Sequence, residues 1–215
     1  MKNSKNIIQK LVLLNIGFFL CSLGTVFYIK SGSGMAPWEV FHSGLANTLG
    51  IRIGRAGILT SAVIIAIDYI LGSKIGFGTI FNMINIGLFT DWIISLDIIK
   101  TSDIFAVQIL YLFIGMCFMN VGIWMYISQG LGAGPRDGLM VALAQKTNLS
   151  VQLLRSLIES TAVVIGFFLG GSFGIGTIIC ALSAGPVMKM IFDILKFDVK
   201  AVDHTYIEDY LKVSV

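Results

Sequence analysis

The 215-residue chain is 56% hydrophobic and only 13% charged, with a mean hydropathy of +0.88. A water-soluble domain carries about 25% charged residues, so much of this chain has lipid as its outer solvent. The formal charge of +3 comes without a basic cluster interleaved with aromatics, which excludes nucleic acid as a partner.

The basic start MKNSKNIIQK leads into an apolar run over residues 8–29. That run is too long for a secretory signal core, and no small-residue cleavage site follows it. It is read as a retained first span. Five further runs follow: AGILTSAVIIAIDYILG, GTIFNMINIGLFTDWIISL, IFAVQILYLFIGMCFMNVGIWMYI, LLRSLIESTAVVIGFFLG and GTIICALSAGPVMKMIFDIL. Each approaches or reaches the roughly 17–25 apolar residues that a spanning helix needs. The fold class predicted is all-α, a polytopic membrane helix bundle of about six spans.

Two glycine-rich segments interrupt the runs: GSGMAPWEVFHSGL at 32–45 and GLGAGPRDGLMVAL at 130–143. Proline is favoured at the first position of a helix, where no N–H donor is needed. The stretches from Pro37 to Leu49 and from Pro135 to Thr147 would rise about 20 Å as helix, short of a hydrocarbon core of about 30 Å. They are predicted as two short, proline-led half-helices of re-entrant hairpins, which are tolerated only inside protein or beside a water-filled cavity. If they crossed instead, the chain would have eight spans. Lys and Arg placement does not separate the two cases, and both put the N- and C-termini in the cytoplasm.

Sliding the sequence by 98 positions lays it on itself without a gap. Gly17, Gly24 and Tyr28 fall on Gly115, Gly122 and Tyr126, and Gly32, Gly34 and Pro37 fall on Gly130, Gly132 and Pro135. GFGTI at 76–80 falls on GIGTI at 174–178. This frame predicts a two-fold internal repeat: a first membrane repeat over 1–97, a second over 98–195, and a short polar tail over 196–215. With re-entrant half-helices the second repeat is inverted; with spanning ones the two are parallel.

Inverted repeats with broken helices are a recurrent transporter plan, with the solute site between the repeats. A helix N-terminus offers partial positive charge and free N–H groups to an anionic or dipolar ligand. The candidate solute-binding residues are therefore Gly34, Pro37, Trp38, Glu39 and His42 in the first repeat. In the second they are Gly132, Gly134, Pro135, Arg136 and Asp137. Glu39 and Asp137 serve equally well as plain caps of a first helical turn, Arg136 as the neutraliser of Asp137, Trp38 as an interface anchor, and His42 as a hydrogen-bonded structural residue.

Charged residues inside spans are costly unless paired or wet. Arg155 and Glu159, one turn apart, suit a structural pair or a gate. Asn82 and Asn85 suit a path lining or a bond between helices. Asp68, Asp91, Lys189 and Asp193 lie towards span ends, where snorkelling to the interface is expected. The isolated cysteines Cys21, Cys117 and Cys180 have neither metal nor disulfide spacing and are predicted as small core residues. With two histidines, no nucleophile elbow and no phosphate loop, the chain is expected to hold no metal or cofactor and to be no enzyme.

The GLGAGPRDGLMVAL frame, with the weaker GSGMAPWEVFHSGL upstream, resembles the YczE/YyaS/YitT family of bacterial integral membrane proteins, closest to its YczE-like branch. The resemblance runs to about residue 195 and implies a multi-pass protein of the bacterial plasma membrane, with little implied chemistry. Two functions are expected from the residues: a transporter or permease for a small polar or anionic solute, or a non-transporting scaffold or accessory for another envelope or biosynthetic system. Partners on either view are the lipid bilayer and, for the first, a small-molecule solute; a homo-oligomer is left open.

Overall fold

A computed structural model describes residues 4–147 and 149–213. Its helices are α1 (Ser4–Lys30), α2 (Pro37–Leu49), α3 (Ile53–Ile70), α4 (Phe77–Leu96), α5 (Phe105–Ile127), α6 (Pro135–Lys146), α7 (Val151–Phe168) and α8 (Ile175–Ile194). A 3-10 turn, Val199–Ala201, and α9 (Ile207–Val213) complete the chain. The described residues contain no strand. α1, α3, α4, α5 and α8 are long and apolar enough to cross a bilayer. α7, at 18 residues, matches α3 in length. Exposed side chains such as Ile67, Leu88, Phe113 and Val164 give these helices an outer surface suited to lipid.

α1 and α5 form the central pair. A Cβ added at Gly17 would come within 2.8 Å of the Gly122 carbonyl oxygen, and one at Gly24 within 2.7 Å of the Gly115 oxygen. Glycine at such crossings lets two backbones approach closely. The partner numbers fall as the α1 numbers rise, so the two helices are antiparallel. That direction settles the role of α2. α3 and α4 each cross once between α1 and α5, so a crossing α2 would leave α5 parallel to α1. α2, at 13 residues, and α6, at 12, therefore fold inward without crossing. The six-span reading holds over the eight-span one.

Two pairs of helices 98 positions apart share their bounds, and the short helices share their start. α3 shifted by 98 is α7, α4 shifted is α8, and Pro37 shifted is Pro135. Their packing is exchanged between the halves: α2 packs on α7, and α6 on α3. The loops that feed the short helices are exchanged too. Gly78 N–H donates to Leu131 O at 2.7 Å, and Gly176 N–H donates to Ser33 O at 2.8 Å. Each short helix is thus clamped by the other half of the chain. Gly34 and Gly132 sit in these loops at φ +114° and +115°, a conformation that favours glycine.

Three expectations need correction. Asp91 does not snorkel: it is 8% exposed, and its Oδ1 accepts the Gly54 N–H at 2.7 Å, capping the start of α3. Asp68 is 3% exposed and lies beside Gly138, where a Cβ would come within 2.7 Å of its Oδ2. Nearness to a span end did not expose either carboxylate, because a neighbouring helix end covers each. Lys189 and Asp193 are exposed as expected. Cys21 and Cys180 are buried, but Cys117 is exposed on the outer side of α5.

The tail is no loose end. Thr205 N–H donates to Gly130 O at 2.8 Å, and Ile207 N–H donates to Ile75 O at 3.0 Å. Gly132 N–H donates to His204 Nδ1 at 3.2 Å. The Tyr210 ring meets Phe77 edge-on, with centroids 5.4 Å apart. The tail thereby covers the loop that feeds α6. Gly32, 98 positions before Gly130, has Ser102 from the segment before α5 and Gln108 from the first turn of α5 as its nearest neighbours.

Candidate functional site

The exchanged packing brings the N-terminal ends of α2 and α6 together. The Arg136 guanidinium lies over the Trp38 ring, 4.6 Å from its centroid. Ala36 and Gly134, the residues capping these helices, supply no side-chain cap. Asp137 N–H turns back to Gly134 O at 3.1 Å and the Glu39 carboxyl group bonds its own backbone, while the helix dipoles add partial positive charge to the space ahead.

That space is a cavity of about 210 Å³, lined by residues from all eight long and short helices. Its lining pairs positions 98 apart: Tyr28 with Tyr126, Pro37 with Pro135, Trp38 with Arg136, Glu39 with Asp137, and His42 with Met140. Gly57 pairs with Arg155, and Ser61 with Glu159. Gly57 and Ser61 thus stand 98 positions before the charged Arg155 and Glu159, and the charges of the lining do not repeat.

Both signs of charge meet in it. Glu39 is 3% exposed, with the Thr25 hydroxyl bonded to its carboxyl group. The Tyr126 hydroxyl donates to Asp137 Oδ2 at 3.5 Å, at the long limit for such a bond. Arg155 Nε donates to Glu159 Oε1 at 2.9 Å, across one helical turn. Two arginines therefore stand against three acids, and one of these arginines is already bound to an acid. His42 and Thr90 also line the cavity, and His42 Nε2 and Thr90 Oγ1 are buried without a protein partner. Buried polar atoms nearly always have a partner, so a water or solute group has to complete these two.

The structure sorts the sequence candidates by place. Pro37, Trp38, Glu39, His42, Gly134, Pro135, Arg136, Asp137, Arg155, Glu159 and Asn82 line the cavity. Gly34 and Gly132 do not: they turn the loops and press against the starts of α8 and α4, Gly34 against Gly174 and Thr177 and Gly132 against Thr79 and Gly76. Asn85 also lies elsewhere, its Nδ2 donating to Asn15 Oδ1 at 3.1 Å. Asn82 thus lines the cavity, and Asn85 makes a bond between α4 and α1. Tyr28, Tyr126, Thr25 and Thr90 were missed as site residues. The coincidence of the tyrosines under the 98-residue shift was the available signal, and the two threonines had none.

A family model described as "Family of unknown function (DUF6198)" matches residues 8–193. An "Uncharacterized protein" of Haemophilus influenzae is 33% identical over 176 residues, 82% of this chain and 80% of the relative. The "Uncharacterized membrane protein YczE" of Bacillus subtilis is 30% identical over 177 residues, 80% of each chain. No solved structure matches.

Proposed function

The chain belongs to the DUF6198 family and is YczE-like; on that premise we propose that it is a bacterial plasma-membrane transporter for a small polar solute. We read its two halves as an inverted internal duplication, with both termini in the cytoplasm. The solute occupies the cavity between the halves, and access alternates as one half rocks against the other. The observation that carries this reading is the Trp38–Arg136 contact. It joins the tips of two non-crossing helices over a cavity that holds Arg136, Glu39, Asp137 and two polar atoms without protein partners. A scaffold needs packed helices and has no use for buried charge around a void, since each such charge is costly in a bilayer. The mixture of signs widens the solute class from anionic to dipolar or zwitterionic. No chemical step enters this reading.

Alternating access is testable without a known substrate. Asn82→Cys, in a background with Cys21, Cys117 and Cys180 replaced by alanine, would be treated with a membrane-impermeant thiol reagent in sealed vesicles of both orientations. A transporter is expected to label from both sides. A cavity that no reagent reaches from either side supports the scaffold instead.

A further inference from the structure

The cavity is closed on one flank and open on the other. On the closed flank α3 and α4 pack side by side, and a Cβ added at Gly87 would come within 2.4 Å of Ile58 Cγ1. Ninety-eight positions on, a Cβ added at Gly185 would meet nothing within 4 Å, and α7 and α8 make hardly any contact. Residues of both helices still line the cavity, among them Arg155 and Ile158 from α7 and Ala184 from α8. One polar contact spans the gap, from Arg155 Nη1 to Met188 Sδ at 4.0 Å. The cavity is therefore continuous with the cleft between α7 and α8.

The chemistry changes along that path. The large exposed side chains of the two helices are mostly apolar, with Leu157, Ile165, Ile178 and Leu182 among them, and in a bilayer such surfaces face acyl chains; Lys189 and Asp193 are exposed towards the end of α8. Ile158, Ala184, the Arg155–Glu159 pair, Arg136 over Trp38, Glu39 and Asp137 all line this one cavity. The Arg155 side chain is 41% exposed, whereas Glu39 is 3% exposed, so the deeper charges are those at the tips of α2 and α6. An object that is greasy outside and doubly charged inside matches this order. A second copy of the chain does not fit, because a helix about 10 Å across has no room in a cavity of about 210 Å³.

We propose that the α7–α8 cleft is a lateral portal for a membrane-dissolved amphiphile whose head carries both an ammonium and a phosphate group, of the phosphatidylethanolamine kind. The phosphate takes the planar donor fork of Arg136. The ammonium lies towards Glu39 and Asp137, which otherwise outnumber the free cation beside them. His42 Nε2 and Thr90 Oγ1 bond to the remaining head-group atoms, and the acyl chains stay in the bilayer between α7 and α8. This deepens the transport reading by naming its solute class.

The test uses the full chain in nanodiscs of equal parts phosphatidylethanolamine and phosphatidylglycerol, followed by native mass spectrometry of the retained lipid. The wild type is expected to retain phosphatidylethanolamine in preference to phosphatidylglycerol. Ala184→Phe and Gly185→Phe, two independent plugs of the cleft, are each expected to lower that retention about tenfold. Met190→Phe, exposed on α8 and away from the cavity, is expected to leave it unchanged. Equal retention of the two lipids, or retention insensitive to both plugs, overturns the portal. So does a plug that splits a dimer into monomers while lipid retention stands. Labelling of Asn82→Cys in sealed vesicles of the same lipid mixture separates the two ideas: if it labels from both sides while retention ignores the plugs, transport survives and the lipid route fails.

Discussion

Arg136 lays its guanidinium 4.6 Å from the centre of the Trp38 ring, and these residues occupy the same position in the two halves of the chain. The contact ties α2 to α6 at their tips, over a cavity that both helices share. Replacing either residue removes one interaction from both halves at once. A double-mutant cycle of Trp38→Leu and Arg136→Gln, read by thermal unfolding in detergent, is expected to show a coupling of about 0.5–2 kcal/mol. Additive losses would mean that the ring and the cation do not hold each other.

The glycines at 87 and 185 make a matched pair with opposite expectations. Gly87→Ala pushes a methyl group against Ile58 and the Gly54 carbonyl oxygen, the latter at 2.5 Å. Backbone cannot yield as a side chain can, so a loss of about 1–3 kcal/mol is expected. Gly185→Ala enters open space and is expected to change stability by less than about 1 kcal/mol. Unfolding midpoints of the two variants, measured side by side, check the asymmetry of the two helix seams.

Asp91 supplies the acceptor for the buried Gly54 N–H at 2.7 Å. Asp91→Ala strands that donor and is expected to cost about 1–3 kcal/mol. Asp91→Asn keeps an acceptor oxygen and is expected to lose less. If the two variants unfold alike, the carboxylate has some other task than capping α3.

His204 accepts the Gly132 N–H through Nδ1, which requires that nitrogen to be unprotonated. Burial holds its pKa below the usual histidine value, against the opposing pull of Asp203. The released tail therefore binds a proton more readily than the docked one. Docking is expected to be complete above about pH 6.5 and to weaken as the pH falls below it. Hydrogen exchange at Gly132 and Thr205, corrected for intrinsic rates, checks this: protection is expected to drop between pH 7.5 and 5.5 in the wild type, and His204→Asn is expected to flatten the change.

How far the sequence reaches depends on the range of the forces involved. Apolar run length, proline at the first helical position and the loop glycines act within a few residues, and each leaves its mark in the string. The spans, the helix starts at Pro37 and Pro135 and the turns at Gly34 and Gly132 were all readable on that ground. The 98-residue shift also brought Trp38 and Arg136, and Glu39 and Asp137, to equivalent positions. It did not say that they touch. Nor did it show that Gly34 and Gly132 serve the loops rather than the cavity, because a backbone turn and a ligand approach select the same residue.

What only the tertiary structure decided concerns partners far apart in the chain. The antiparallel meeting of α1 and α5 rules out a crossing α2. Although Gly17 and Gly24, like Gly115 and Gly122, stand seven residues apart on one helix face, the string does not say which helix they meet. The burial of Asp68 and Asp91 depends on which helix end covers them. The open seam between α7 and α8 depends on a contact that fails to form although both helices match those of a closed seam. Composition and local geometry select the elements of this protein; the free space left when the halves interlock selects its site, and that space belongs to no single segment.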